Sequence, residues 1–193
     1  MDKNQETTEV SDLDGRIASR VKALRLAGGY TIDGLAEKSG VSRAMISKIE
    51  RGDVSPTAVL LGKLSNALDV TLSQLFREGD NEGMLVRAAS RRIWRDPATG
   101  YVRRNVSPVS SPVDIVDVTL PPGAQVTHDN AVPLHLTQLV WVFAGQLTMR
   151  IDGVAHDLGA GDCLQMRLDR PISFHNQTGH DVRYAVLLAR GSR

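Results

Sequence analysis

Several things are scarce in this chain, and each scarcity excludes something. Among 193 residues there is a single cysteine, Cys163. No intrachain disulfide can form, and such usage fits a reducing compartment. Cys163 is therefore expected as a small, buried apolar side chain. Aromatic residues make up only 4% of the chain, so aliphatic side chains must supply most of any core. No run approaches the roughly 18 apolar residues that a membrane helix needs. Residues 1–11 are polar and acidic, without the apolar centre of a signal peptide, and are expected as a disordered tail. These absences together point to a cytoplasmic protein long enough for two small domains.

Charge is nearly balanced, at a formal +1, but it is unevenly placed. Residues 12–77 hold ten Lys and Arg against seven Asp and Glu, and residues 84–110 hold six Arg against one Asp. Residues 111–193 hold six Arg against eight Asp. Basic charge thus collects in the first part of the chain, as phosphate binding requires.

Residues 12–77 show helical periodicity. Ser11 is a candidate cap, with Asp14 three residues on. Ile17, Val21 and Leu24 follow at helical spacing, and Gly28-Gly29 stop the helix. Thr31 caps a second helix carrying Leu35 and Ala36, which Gly40 ends. Ser42 caps a third, with Ile46 and Ile49 on its apolar face, closed by Gly52. Ser55-Pro56 reads as a helix start with Pro at the first position, followed by a stripe of Val59, Leu60, Leu64, Ala67 and Leu68. Thr71 caps a last short helix holding Leu72, Leu75 and Phe76. Five short helices imply a compact all-α domain.

The turn Gly40-Val41-Ser42 joins two of these helices tightly: Gly ends one, Val fills the gap and Ser caps the next. Residues 31–52, TIDGLAEKSGVSRAMISKIERG, resemble the helix-turn-helix of the phage-repressor (Cro-like, XRE) family. The resemblance runs on through Pro56 and LSNALDVTLSQLF. It implies that the third helix enters the major groove with its N-terminal residues toward base edges. The positions that match the reading positions are Arg43, Ala44, Ser47 and Lys48. Arg suits guanine O6 and N7, Ala suits a thymine methyl, and Lys suits guanine or phosphate. Thr31 and Ser42 stand at helix N-termini, where free N–H groups favour phosphate, and Arg51 is placed to reach the backbone. Many relatives carry Gln just after the cap of the second helix; this chain has Ile32.

From residue 84 onward the pattern becomes period two, separated from the helices by a linker at 78–83. Residues 96–100 form a turn between Ile93-Trp94 and Tyr101-Val102. Residues 113–120, 139–143, the alternating Leu147, Met149 and Ile151, the alternating Leu164, Met166 and Leu168, and residues 182–188 all read as strands. Asp152-Gly153 is a hairpin turn. Many short strands with regular turns imply a sandwich or small barrel.

Pro122-Gly123, the run from Gln138 to Gly145, the turn at 159–162 and the stretch 174–176 resemble, in that order, a cupin barrel covering residues 84–190. Cupin sensor domains behind a phage-repressor-type domain form a large bacterial regulator family. The fold expected is α+β and multidomain: a five-helix helix-turn-helix domain, then an all-β cupin jelly roll. In the family, two histidines and a glutamate from one motif and a histidine from another hold a metal. Here the glutamate position falls on Gln138 and the second-motif histidine position on Ile172. Gln is a weak ligand and Ile none, so no metal and no cofactor is expected. A rearranged site from His128, His135 and His175 is the alternative; His156 and His180 read as surface residues.

An interior without metal can still enclose a small molecule. Gln138, with Val140 and Val142 on its face, is the leading candidate lining, followed by Met166, Tyr184 and His135. Of the connector's Arg87, Arg91, Arg92, Arg95, Arg103 and Arg104, the pairs Arg91-Arg92 and Arg103-Arg104 read either as contacts to phosphate or an anionic ligand or as salt-bridged or solvated charges, the second being favoured. The expected protein is a DNA-binding transcriptional regulator that senses a small-molecule effector. It is expected to dimerise and to read a palindromic DNA operator. Two alternatives stand beside it: a cupin metalloenzyme of epoxidase or dioxygenase type carrying a helix-turn-helix-like domain, and a DNA-binding module whose barrel only dimerises.

Overall fold

The computed structural model describes residues 3–76, 85–91, 93–108, 111–130 and 136–190, with side chains described from Asp14 onward except Arg190. The chain divides into two compact units, Met1–Glu78 and Gly79–Arg193.

The first unit contains α1 (Lys3–Ala27), α2 (Ile32–Ser39), α3 (Arg43–Arg51), α4 (Ala58–Ala67) and α5 (Leu72–Leu75). The expected tail is a correction: α1 begins at Lys3, so Ser11 lies within the helix and not at its start. No Gly or Pro stands between Lys3 and Asp14 to stop the helix. The caps of α2, α3 and α5 fall where the sequence puts them. Thr31 Oγ1 accepts from the Gly34 N–H, Ser42 Oγ from the Met45 N–H, and Thr71 closes a reciprocal capping box with Gln74. Gly40 and Gly52 end α2 and α3 with φ of 65° and 72°, a left-handed conformation that an L side chain rarely adopts.

The start of α4 is a second correction. Thr57, not Ser55, is its cap, with Oγ1 accepting from the Leu60 N–H at 3.3 Å. Pro56 is buried ahead of the helix. The helix begins two residues later than expected, at Ala58. Its buried side takes in Leu64, as expected, and Leu61, whereas Val59 is 47% exposed. The core they join is Ile17, Val21, Leu35, Ile46, Ile49 and Leu75, with Val41 packed in the turn between α2 and α3.

Among its described residues the second unit has a 3₁₀ turn at Ala88–Ser90 followed by ten strands: β1 (Ile93–Arg95), β2 (Val102–Asn105), β3 (Val113–Leu120), β4 (Gln125–His128), β5 (Leu136–Ala144), β6 (Leu147–Ile151), β7 (Val154–Leu158), β8 (Cys163–Arg167), β9 (Ile172–His175) and β10 (Val182–Arg190). They form two antiparallel sheets, in the orders β1-β2-β3-β10-β5-β8 and β4-β9-β6-β7. Without the β1–β2 hairpin, eight strands remain, and the chain alternates between sheets in the two interlocked Greek keys of a jelly roll. The inner faces carry Val116, Val118, Leu120, Val140, Val142 and Tyr184 from the larger sheet and Val126, Leu147, Met149, Ile172 and Phe174 from the smaller, all buried.

Turn chemistry fixes the hairpins. Asp152 and Gly153 both have positive φ (52° and 81°), the pair of left-handed residues a tight two-residue hairpin needs. Between β1 and β2, the buried Asp96 accepts from Thr99 N–H at 3.0 Å and Thr99 O–H at 2.6 Å. At Gly145 a Cβ would stand 2.9 Å from the Asp181 carbonyl oxygen, so glycine lets β10 approach the end of β5.

Candidate DNA-reading face and the interior of the jelly roll

The turn of α3 fixes which side chains meet solvent. Ile46 and Ile49 are buried in the domain core, so Arg43, Ala44, Ser47, Lys48 and Arg51, at helical spacing, lie on the other side. All but the half-buried Ser47 are exposed. The Arg43 guanidinium, 73% exposed, meets Asp33 of α2 at 3.2 Å. Arg51 donates to Ser47 Oγ, one turn back, and to Asp53 Oδ2 at 2.8 Å. These surface pairs contribute little to stability and their cations remain available to a phosphate or base. Thr31 and Ser42 are exposed at the N-termini of α2 and α3, where unpaired N–H groups carry partial positive charge.

One lock beneath this face has no signal in the sequence. Arg25 of α1 makes a bidentate pair with Glu50 of α3, Nε to Oε1 at 2.6 Å and Nη2 to Oε2 at 2.8 Å, and also donates to the Tyr30 carbonyl at 2.9 Å. Both side chains are less than 10% exposed, and the Glu50 hydrogen bond raises the Arg25 pKa. The pair ties α3 to α1 at the edge of the solvent stripe, one turn on from the buried Ile46.

In the second unit, strand register assembles most of the expected lining. Gln138 stands opposite Met166 and Leu188, Val140 opposite Val186, and Val142 opposite Tyr184. The Gln138 amide lies 4.0 Å from Met166 Sδ, and Tyr184 stacks on Phe174 with ring centres 5.6 Å apart. Burial pushes the Tyr184 phenol well above its ordinary range. His135 lies outside the described residues.

The residues do not fit the metal that cupins commonly hold. Ile172, at the expected histidine position, is buried and has no donor. His128 faces inward opposite Ile172, whereas His175 pairs with Gln125 on the other face of the same sheet. Among the described residues no three His, Cys, Asp or Glu side chains are grouped to hold an ion. Cys163 is a correction: it is exposed on β8 opposite Trp141, because odd-numbered residues of β8 face outward and Met166 inward. Sequence reasoning also set Arg103 aside with the connector arginines, yet it is buried on the inner face of β2.

Comparison with known proteins bears on both units. The HTH_3 helix-turn-helix family matches residues 21–75. Over 92 residues the chain is 40% identical to the HTH-type transcriptional regulator SinR of Bacillus subtilis (strain 168), covering 46% of this chain and 82% of that one. The chain belongs to the helix-turn-helix transcriptional regulators of XRE type. This regulator is also 24% identical over 177 residues to the HTH-type transcriptional regulator SutR of Escherichia coli (strain K12), covering 89% of this chain and 93% of that one. The crystal structure of an HTH_3 family transcriptional regulator from Vibrio cholerae superposes with a TM-score of 0.77 at 24% identity, covering 94% of this chain and 99% of that one. The regulator thus carries a DNA-binding helix-turn-helix domain followed by a jelly roll. Among its described residues no helix is long and apolar enough to cross a membrane.

Proposed function

We propose that this cytoplasmic regulator is a homodimer that reads a palindromic operator through α3 and senses a small-molecule effector in the jelly-roll interior. The observation that carries the DNA reading is the split of α3 into two faces. Ile46 and Ile49 are committed to the core, leaving Arg43, Ala44, Ser47, Lys48 and Arg51 on a continuous solvent stripe. With Thr31 and Ser42 at the adjacent helix starts, this stripe offers both base and phosphate contacts. Gln138, Val140, Val142, Met166 and Tyr184 line the effector site in this reading. By linkage, an effector that weakens operator binding must itself bind the DNA complex less tightly.

The catalytic alternative requires a histidine and carboxylate triad with open metal positions. Ile172 and Gln138 stand where two of those ligands belong, and the curated relatives are named as regulators. The protein is accordingly read as a sensor and not as an enzyme.

Arg43→Ala is the direct test. If Arg43 reads a guanine, the variant loses roughly 1–3 kcal/mol of discrimination at one base position and little affinity for random DNA. Equal losses on operator and random sequence would reduce Arg43 to a phosphate contact.

A further inference from the structure

The two sheets of the jelly roll differ on the side turned away from the core. An antiparallel sheet with one face in water alternates apolar inward and polar outward. The smaller sheet obeys this rule. Its outer positions carry Gln125, Thr127, Thr148, Arg150, Asp157 and His175. The larger sheet does not. Along β3, β10 and β5 its outer positions carry Ile115, Leu139, Trp141, Phe143, Ala185 and Leu187.

Those six residues form one surface. Leu187 stands between Ile115 and Leu139, and Ala185 stands beside Trp141. Trp141 and Phe143 meet edge-on with ring centres 4.8 Å apart. They are 47% and 40% exposed, the exposed aromatics among the described residues, in a chain with only eight Phe, Trp and Tyr. Aromatics gathered on an otherwise aliphatic outer face mark a surface that a partner covers.

Charge and size point to which partner. The six residues carry no charge. Arg183, over the Phe143 ring at 5.8 Å, is already held by Asp117 in a bidentate pair at 3.1 and 3.0 Å. Such a surface offers nothing to select a nucleic acid or a charged peptide, and nothing that repels its own copy across a two-fold axis. β3, β10 and β5 are eight or nine residues long. With β8 they span about 19 Å by about 27 Å, at roughly 4.8 Å per strand and roughly 3.4 Å per residue. Two such faces together bury about 1,000 Å², the size at which a specific interface begins.

We propose that two copies of this chain pack through the outer face of the larger sheet, centred on Trp141. This deepens the homodimer reading given above and rests on it.

The single cysteine supplies a native probe, because Cys163 is exposed on that face opposite Trp141. The full chain is followed over a concentration series by sedimentation and by the rate of Cys163 alkylation with iodoacetamide. Trp141→Glu is the disrupting variant. Thr127→Glu, on the outer face of the smaller sheet, is the control. Both side chains are exposed, so neither change opens the core. The expected result is a dimer whose Cys163 reacts more slowly than in the diluted monomer. Trp141→Glu is expected to weaken that dimer about a hundredfold or more, since a two-fold axis brings the change in twice, and to free Cys163. Thr127→Glu does neither. A dimer that survives Trp141→Glu, or one whose Cys163 reacts at the monomer rate, would overturn this face and leave the homodimer reading intact. A monomer at every concentration would overturn both the face and a homodimer in free solution. Slow alkylation in that monomer would assign the cover to the chain itself. If Trp141→Glu fails to fold, alkylation of the unaltered chain still decides: a rate that stays constant through the transition from dimer to monomer overturns the face.

Discussion

His128 shows how much a single side chain depends on surroundings that lie far away in sequence. Its pKa falls from 6.5 to about 4, because burial disfavours the imidazolium and Arg103 repels it. In the unfolded chain the imidazole takes up a proton as pH falls through its ordinary value, whereas in the fold it stays neutral until about 4. Stability is therefore lost as pH drops across that window and is unaffected by this group above it. The loss is at most about 3 kcal/mol. A His128→Gln variant should show a flatter decline of melting temperature between pH 6.5 and about 4; a decline as steep as that of the parent would assign the acid sensitivity to other groups. At this scale the sequence was least informative. His128 entered only as a member of a rearranged metal site, Arg103 only as one arginine of a basic connector, and Cys163 as a buried residue. Which way each points depends on the register of strands four or five residues long, and one step of register exchanges the two faces.

Helices and strands were easier to read where their ends carry chemistry. Thr31, Ser42 and Thr71 each cap the helix that the sequence assigns them, since a hydroxyl three residues before a free N–H is a local signal. At α4 two candidate hydroxyls compete, Ser55 and Thr57, and the choice falls on Thr57. The stripe expected from the sequence also takes in Val59, which is exposed, and misses the buried Leu61. Three strands escaped notice. β7 is exposed along most of its length, so it lacks alternation; β4 holds Gln125 and Thr127 on its outer side; β9 has three buried residues in succession. The clamp between α1 and α3 had no periodic signal either, because Arg25 and Glu50 are 25 positions apart. Its consequence can be measured. Glu50→Ala strands the Arg25 guanidinium just under the surface and should cost roughly 3 kcal/mol, the lower end for a broken buried pair. Since the pair fixes α3 in place, operator affinity should fall together with melting temperature. A loss below about 1 kcal/mol, the range of exposed pairs, would show that the clamp is not what positions the helix.

Across the whole molecule, the boundary between a helical and a strand-rich half is visible as a change of period from 3.6 to 2, while the strand order of the second half is not. β3 pairs with β10 and β5 with both β10 and β8, contacts that no local pattern specifies. Only the succession of turns, through its resemblance to cupins, pointed to the jelly roll. The proposed reading of DNA also belongs to this scale. α3 is nine residues long and presents five side chains to solvent on its outer stripe, enough for a few base pairs and too few for a unique operator. A two-fold dimer doubles the reading and imposes its symmetry on the site. Selection from random duplex DNA with the full chain should therefore enrich inverted repeats whose half-site centres lie about 34–36 Å apart, one helical turn, or a multiple of it. The free protein should sediment at twice the 21.0 kDa chain mass. Enrichment of single, unpaired half-sites by a monomer would overturn the dimer reading and leave the jelly roll acting on one DNA head alone. Inverted repeats bound by a protein monomeric in solution would instead place dimer formation on the DNA, and effector control would then act on that assembly step.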